Sequence, residues 1–175
     1  MSKSQNKQEK RGKKIMLGFA CVLLAVLILA VVLAGKRSFT VGKNISADEI
    51  TEFYYTESSS TNPPKYQRYH FYAEDGAFVF AHEKREGKHW PLTENDVSLS
   101  GERRLTEAEQ AEFLSLLEGG TVRKRSEQTA AGGSAPSLYL YWKNDRSEYQ
   151  AFSFAAGKEA AFERFCAALM EQQEE

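Results

Sequence analysis

His82-Glu83-Lys84-Arg85-Glu86 is the stretch of this sequence that comes nearest to a metal-hydrolase signature. In a zinc-protease helix of the HExxH type, two histidines four residues apart bind the metal from one face, and the glutamate acts as general base. Here the last position is Glu86, and the run carries a strand-like pattern into a turn at Glu86-Gly87, so two ligands would not share a helical face. Ser58, Ser59 and Ser60 fall in a Ser/Pro-rich connector with no assignable base. The sequence holds no Gly-x-Ser-x-Gly elbow, no glycine-rich phosphate loop and no paired-cysteine site. Paired carboxylates for glycoside hydrolysis need a fixed separation across a cleft. The acids here sit at turns and on helix faces, where solvation accounts for them. The expectation is no catalytic residue, no cofactor and no metal, with a hydrolase of envelope material as the alternative.

Recognition is the chemistry the residues favour. Tyr139, Tyr141 and Tyr149 fall on the side of a C-terminal hairpin opposite Leu138 and Trp142. Tyrosine buries a large area at low entropic cost, which suits a partner-binding face. A covering layer over the sheet is the competing reading. Arg103, Arg104, Arg123, Lys124 and Arg125 are the basic clusters beyond the N-terminal region. They flank one helix, so the two groups are expected to approach each other as an anion-binding rim, against the alternative of a solvated edge.

Local sequence patterns predict the secondary structure around these residues. Residues 48–56 suit a strand, and Glu57 to Pro64 a loop. Asp75-Gly76 supplies the positive φ angles of a two-residue hairpin turn. Centred there, the turn pairs Ala73 with Phe78, Phe71 with Phe80 and Tyr69 with His82 on the core face. Arg68, His70, Tyr72, Val79, Ala81 and Glu83 take the other face, so His70 and His82 cannot share a metal. His89 to Leu92 reads as a short edge strand, and Asn95 to Arg104 as a strand around Val97 and Leu99. Leu105 to Gly120 is a helix capped by Thr106 with Glu109 completing a capping box, its stripe formed by Ala108, Ala111, Phe113, Leu114, Leu116 and Leu117. Thr121 to Arg125 is a strand. Residues 137–143 and 147–154 make the second hairpin, turning through Asn144 to Arg146 with an odd-length loop that gathers Leu138, Leu140, Trp142, Phe152 and Phe154. Lys158 to Met170 places Phe162, Phe165, Cys166 and Leu169 on one helical face, where a buried, inert Cys166 thiol is expected.

Composition sets the frame. Ile15 to Gly35 holds no charged residue over 21 positions, roughly 31 Å as a helix, which matches a bilayer core. Residues 1–37 carry eight Lys/Arg against one Glu, and the remainder carries 15 against 23, so a balance of +7 precedes one of −8. The cations before the apolar run place the N-terminus in the cytoplasm. A signal peptide cut before Gly35 is the alternative, although its apolar region usually runs only about 7–15 residues. An acidic exported domain is a poor ligand for nucleic acid. With Cys166 its single cysteine, that domain has no internal disulfide.

The expected fold class is α+β: a single N-terminal transmembrane helix (signal anchor), then a mostly antiparallel sheet with two packed helices. Its parts are a basic cytoplasmic tail (1–14), the transmembrane helix (15–35), a juxtamembrane linker (36–47), an extracytoplasmic domain (48–171) and a frayed C-terminus (172–175). The expected partners are the lipid bilayer and a protein or envelope polymer. The function expected is that of a non-enzymatic binding or accessory module. A structural bitopic subunit acting through its apolar helix is a further alternative.

Overall fold

The computed structural model describes Leu24, Val26 and residues 38–125, 136–143 and 149–171. The chain divides into two units, Met1–Arg37 and Ser38–Glu175. In the second unit, Asp75 (φ 48°) and Gly76 (φ 80°) reverse the chain between strands β3 (Lys65–Glu74) and β4 (Ala77–Glu86). The register is the expected one, with Ala73 opposite Phe78, Phe71 opposite Phe80 and Tyr69 opposite His82. Strand β2 (Ile50–Ser59) pairs with β3, and β5 (Val97–Arg104) pairs with β4. On the other flank of β2 lies β7 (Ser137–Trp142), followed by β8 (Tyr149–Ser153), β6 (Thr121–Lys124) and β1 (Ser38–Thr40). The result is one eight-stranded antiparallel sheet in the order β1-β6-β8-β7-β2-β3-β4-β5.

Two helices cover one face of it. Helix α1 (Glu107–Leu117) starts at Thr106, whose side chain accepts from the Glu109 amide while the Glu109 carboxylate accepts from the Thr106 amide, as the capping box requires. Helix α2 (Lys158–Glu171) buries Phe162, Phe165, Cys166 and Leu169, the four residues its spacing selects. Period-two alternation sends Phe53, Phe71, Phe80, Leu140 and Phe152 to the helix side, and all five are buried. Phe71 is the junction: its ring stacks on Phe113 of α1 at 4.1 Å and meets Phe162 and Phe165 of α2 at 5.7 and 6.3 Å. The stripe of α1 is narrower than its composition suggests. Phe113 and Leu117 are buried, Leu114 and Leu116 partly so, and Ala108 and Ala111 face outward.

The expected transmembrane helix is corrected. No helix among the described residues is long and apolar enough to cross a membrane. Of residues 15–35 only Leu24 and Val26 are described, both helical and 60 % and 58 % exposed; the rest of that expectation lies outside the described residues. An apolar composition is necessary for a span, but a span also needs about 20 consecutive helical residues. The fold that stands among the described residues is the antiparallel sheet with its two helices.

Three local readings change as well. Ser38–Thr40 of the expected linker is a strand, and Val41 and Ile45 are buried in the core. Val41 is held by hydrogen bonds from its amide to Gly120 O (2.9 Å) and from the Gly119 amide to its own carbonyl (3.0 Å). Glu57 to Ser59 extend β2, because Gln67, Tyr66 and Lys65 offer them a continuous ladder that outweighs serine's preference for local bonds. His89 to Leu92 forms no strand. The Asn144 to Arg146 turn lies outside the described residues, yet Tyr139 pairs with Ala151, and Leu140, Trp142 and Phe152 are buried together as an odd loop requires.

Candidate functional site: the aromatic sheet face

The sheet face away from the helices carries a contiguous set of rings. Tyr54 lies between His70 on β3 and Tyr139 on β7; in the next row Glu52 lies between Tyr72 and Tyr141. Tyr54 stacks on His70 with centroids 4.1 Å apart and planes 8° from parallel. Tyr72 meets His70 at 4.9 Å, and Tyr141 meets Tyr54 edge-on at 5.9 Å. The Arg125 guanidinium sits 5.1 Å from the Tyr139 ring centre, within cation–π range. All five rings are half-buried by their own neighbours, and no helix among the described residues packs over them.

Their polar ends are fixed too. The Tyr54 hydroxyl donates to Glu52 (3.0 Å), Tyr72 to Glu102 (2.8 Å) and Tyr141 to Gln150 (3.1 Å). Burial, and then the Glu52 carboxylate, pushes the Tyr54 hydroxyl up to about 12. Burial raises Tyr141, and the hydrogen bond to Glu102 raises Tyr72. These hydroxyls therefore keep their protons at neutral pH and act as donors, not nucleophiles. Burial lowers His70, which favours the neutral imidazole stacked on Tyr54. The arrangement presents preordered aromatic area with little side-chain freedom left to lose on binding.

Tyr139 and Tyr141 occupy this face as the sequence suggests, and Tyr149 opens β8 opposite Lys124. Sequence reasoning missed Tyr54 as a site residue and did not connect His70 and Tyr72 to the tyrosine hairpin. Alternation in Phe53-Tyr54-Tyr55 was a usable signal for Tyr54. The pairing of β7 with β2, which joins segments more than 80 residues apart, had no local signal.

The basic rim does not form as one cluster. Arg103 and Arg104 lie on β5 at one edge, whereas Arg123 and Lys124 lie on β6 near the other. Six strand spacings separate them, about 29 Å. After α1 the chain returns to pair with β1 and β8 instead of settling beside β5. Arg103 is forked onto Glu109 at 2.6 and 3.0 Å, and the hydrogen bonds from Arg103 draw the Glu109 carboxyl down to about 2. Arg104 reaches Glu74 at 3.4 Å and Asp75 at 3.9 Å. These arginines serve internal carboxylates.

Two depressions open on the aromatic face's side. One, about 340 Å³, holds Glu83 and Glu102. Glu83 is engaged by Arg85 Nε at 2.6 Å and Glu102 by the Tyr72 hydroxyl. His82, next to Glu83 on β4, also lines it, but its ring packs with Phe80 on the helix side. Among the described residues no group of three or more His, Cys, Asp or Glu is placed to hold a metal. The second depression, about 270 Å³, lies beside Trp90.

His82 is 6 % exposed, and neither ring nitrogen has a hydrogen-bond partner among the described residues. Burial lowers its pKa, as it does that of His70. The unfolded chain takes up these protons near pH 6.5, before the folded chain does. Full stability is therefore expected above about pH 6.5, with a decline as pH falls, at up to about 1.4 kcal/mol per pH unit for each histidine. Urea titrations from pH 7 to 5 check this, and His82→Phe should flatten the slope.

No family model, curated protein or solved structure matches the chain.

Proposed function

We propose that the Ser38–Glu175 unit is a non-enzymatic binding module that receives a protein partner on the face formed by Tyr54, His70, Tyr72, Tyr139 and Tyr141. The observation that carries this reading is that five preordered rings share the sheet face opposite both helices. A folded domain gains little from such aromatic area on an uncovered surface, whereas an interface gains from rigid Tyr anchors with a polar rim. Glu52, Glu102 and Arg125 supply that rim.

The alternative, a hydrolase of envelope material, has one feature in its favour: Glu83 and Glu102 share a depression on adjacent strands. Both carboxylates are already taken by internal donors, and the histidine that lines the depression, His82, turns its ring to the core, while His70 on the outward face is stacked on Tyr54. The binding reading accounts for more of the surface.

The test compares the Ser38–Glu175 unit, whose core is complete within itself, with the triple variant Tyr54→Ser/Tyr139→Ser/Tyr141→Ser. A partner captured by the parent should be lost by the triple variant, by about tenfold or more. It should be retained by Glu112→Ser, an exposed substitution on α1. Equal recovery by parent and triple variant contradicts the proposal.

A further inference from the structure

Away from the tyrosine cluster, at the far end of the same sheet face, Ser58, Tyr66 and Arg85 form one cross-strand row. The loop after β4 brings Trp90, Pro91 and Leu92 beside them, and the six residues line a depression of about 270 Å³. Trp90, a large hydrophobic side chain, is left 51 % exposed. Nothing in the core requires it there. The Arg85 guanidinium lies 5.5 Å from the Tyr66 ring centre and is held by Glu83 through Nε at 2.6 Å. Among the described residues its two terminal nitrogens have no hydrogen-bond partner.

We infer that this depression binds one ring of a neutral carbohydrate chain. The negative face of an aromatic ring attracts the polarised C–H groups on the flat side of a sugar, and Trp90 with Tyr66 supplies two such rings. A sugar hydroxyl can accept from the free Arg85 nitrogens and exchange hydrogen bonds with the Ser58 hydroxyl. The volume suits a single ring more than an extended peptide, and an apolar lining with a few fixed polar groups is the usual build of a small-ligand site. Charge decides between neutral and acidic sugars. Arg85 is already paired with Glu83, Glu94 and Asp96 act on it electrostatically, and the balance over residues 38–175 is −8. An anionic ring would meet these acids, whereas a neutral one needs only donors and ring faces.

Calorimetric titration of the full chain with cellotetraose, chitotetraose, tetragalacturonate and a decaproline peptide tests the assignment. At least one neutral tetrasaccharide should saturate with Kd below about 1 mM, and tetragalacturonate should bind about tenfold more weakly or worse. Trp90→Ala should weaken the neutral sugar about tenfold, while Trp90→Tyr, which restores a ring, stays within about threefold of the parent. The Tyr54/Tyr139/Tyr141 triple variant should bind the sugar like the parent, which keeps this site's fate separate from that of the tyrosine face. Absence of saturation by both neutral sugars, equal affinity for the acidic one, an unaffected Trp90→Ala, or tighter binding of decaproline would each overturn the inference.

Discussion

Phe71→Ala should cost the Ser38–Glu175 unit about 3–5 kcal/mol of unfolding free energy. The ring is fully buried and joins three elements: it stacks on Phe113, lies 4.9 Å from Phe80, and touches Phe162 and Phe165 of the second helix. Removing it strips the transfer energy of a phenyl group and leaves a cavity that two helices and a sheet cannot all close at once. Because total stability of such a domain is about 5–15 kcal/mol, the alanine variant sits close to unfolding, and Phe71→Leu gives a graded second point near about 1–1.5 kcal/mol. Urea denaturation monitored by far-UV dichroism reads both. A loss below about 1 kcal/mol for Phe71→Ala would mean that the helices are not seated on this ring.

Gly120→Ala is expected to cost about 2 kcal/mol or more, although it adds only one methyl. An ideal Cβ there would lie 2.3 Å from Phe152 Cζ, 2.5 Å from Phe152 Cε2 and 2.9 Å from the Leu117 carbonyl oxygen. Phe152 cannot step aside, since it packs against Phe53 at 5.3 Å and Phe154 at 5.0 Å. The Leu117 carbonyl belongs to the end of α1 and accepts from the Gly120 amide at 3.0 Å, so it too is fixed. Gly119 is the informative comparison. Its φ of 78° penalises alanine by about 1 kcal/mol, but its nearest neighbour would be the Ala155 methyl at 3.5 Å, an ordinary contact. Thermal and urea midpoints for the two variants should therefore rank Gly120→Ala as the worse. The reverse order would show that backbone conformation, not close packing, governs this junction.

That comparison shows where the sequence is informative and where it is not. A helix stop at Gly119 is legible because a glycine after an apolar stripe has a local meaning, and its positive φ bears this out. The close approach of Phe152 to Gly120 is invisible in the chain, because 32 positions separate the two residues. The same division holds elsewhere. Asp75-Gly76, the Thr106–Glu109 box and the Phe162–Leu169 stripe are neighbourly arrangements, and each was readable with its register. The placement of β7 beside β2, of β6 at the sheet's far side and of Ser38–Thr40 as an edge strand depends on long-range pairing. For that reason half of the aromatic face was legible from its hairpin, and Tyr54, which completes it, was not assigned. The basic clusters part for the same reason: they are neighbours in sequence around α1, and the strand order places them toward opposite ends of the sheet. The spanning helix expected from the hydropathy of residues 15–35 falls almost wholly outside the described residues, among which no helix is long and apolar enough to cross a membrane.

A binding role for Ser38–Glu175 requires the aromatic sheet face to be the surface that a partner covers. Hydroxyl-radical footprinting of Ser38–Glu175, alone and with its captured partner, measures this residue by residue. Free, Tyr54, Tyr139 and Tyr141 should react faster than the core tyrosines Tyr55 and Tyr69, which are 3 % and 5 % exposed. With the partner present, the first three should become protected while exposed positions on α1 and α2 keep their rates. Protection confined to the helix side, with Tyr54, Tyr139 and Tyr141 reacting as before, would contradict it.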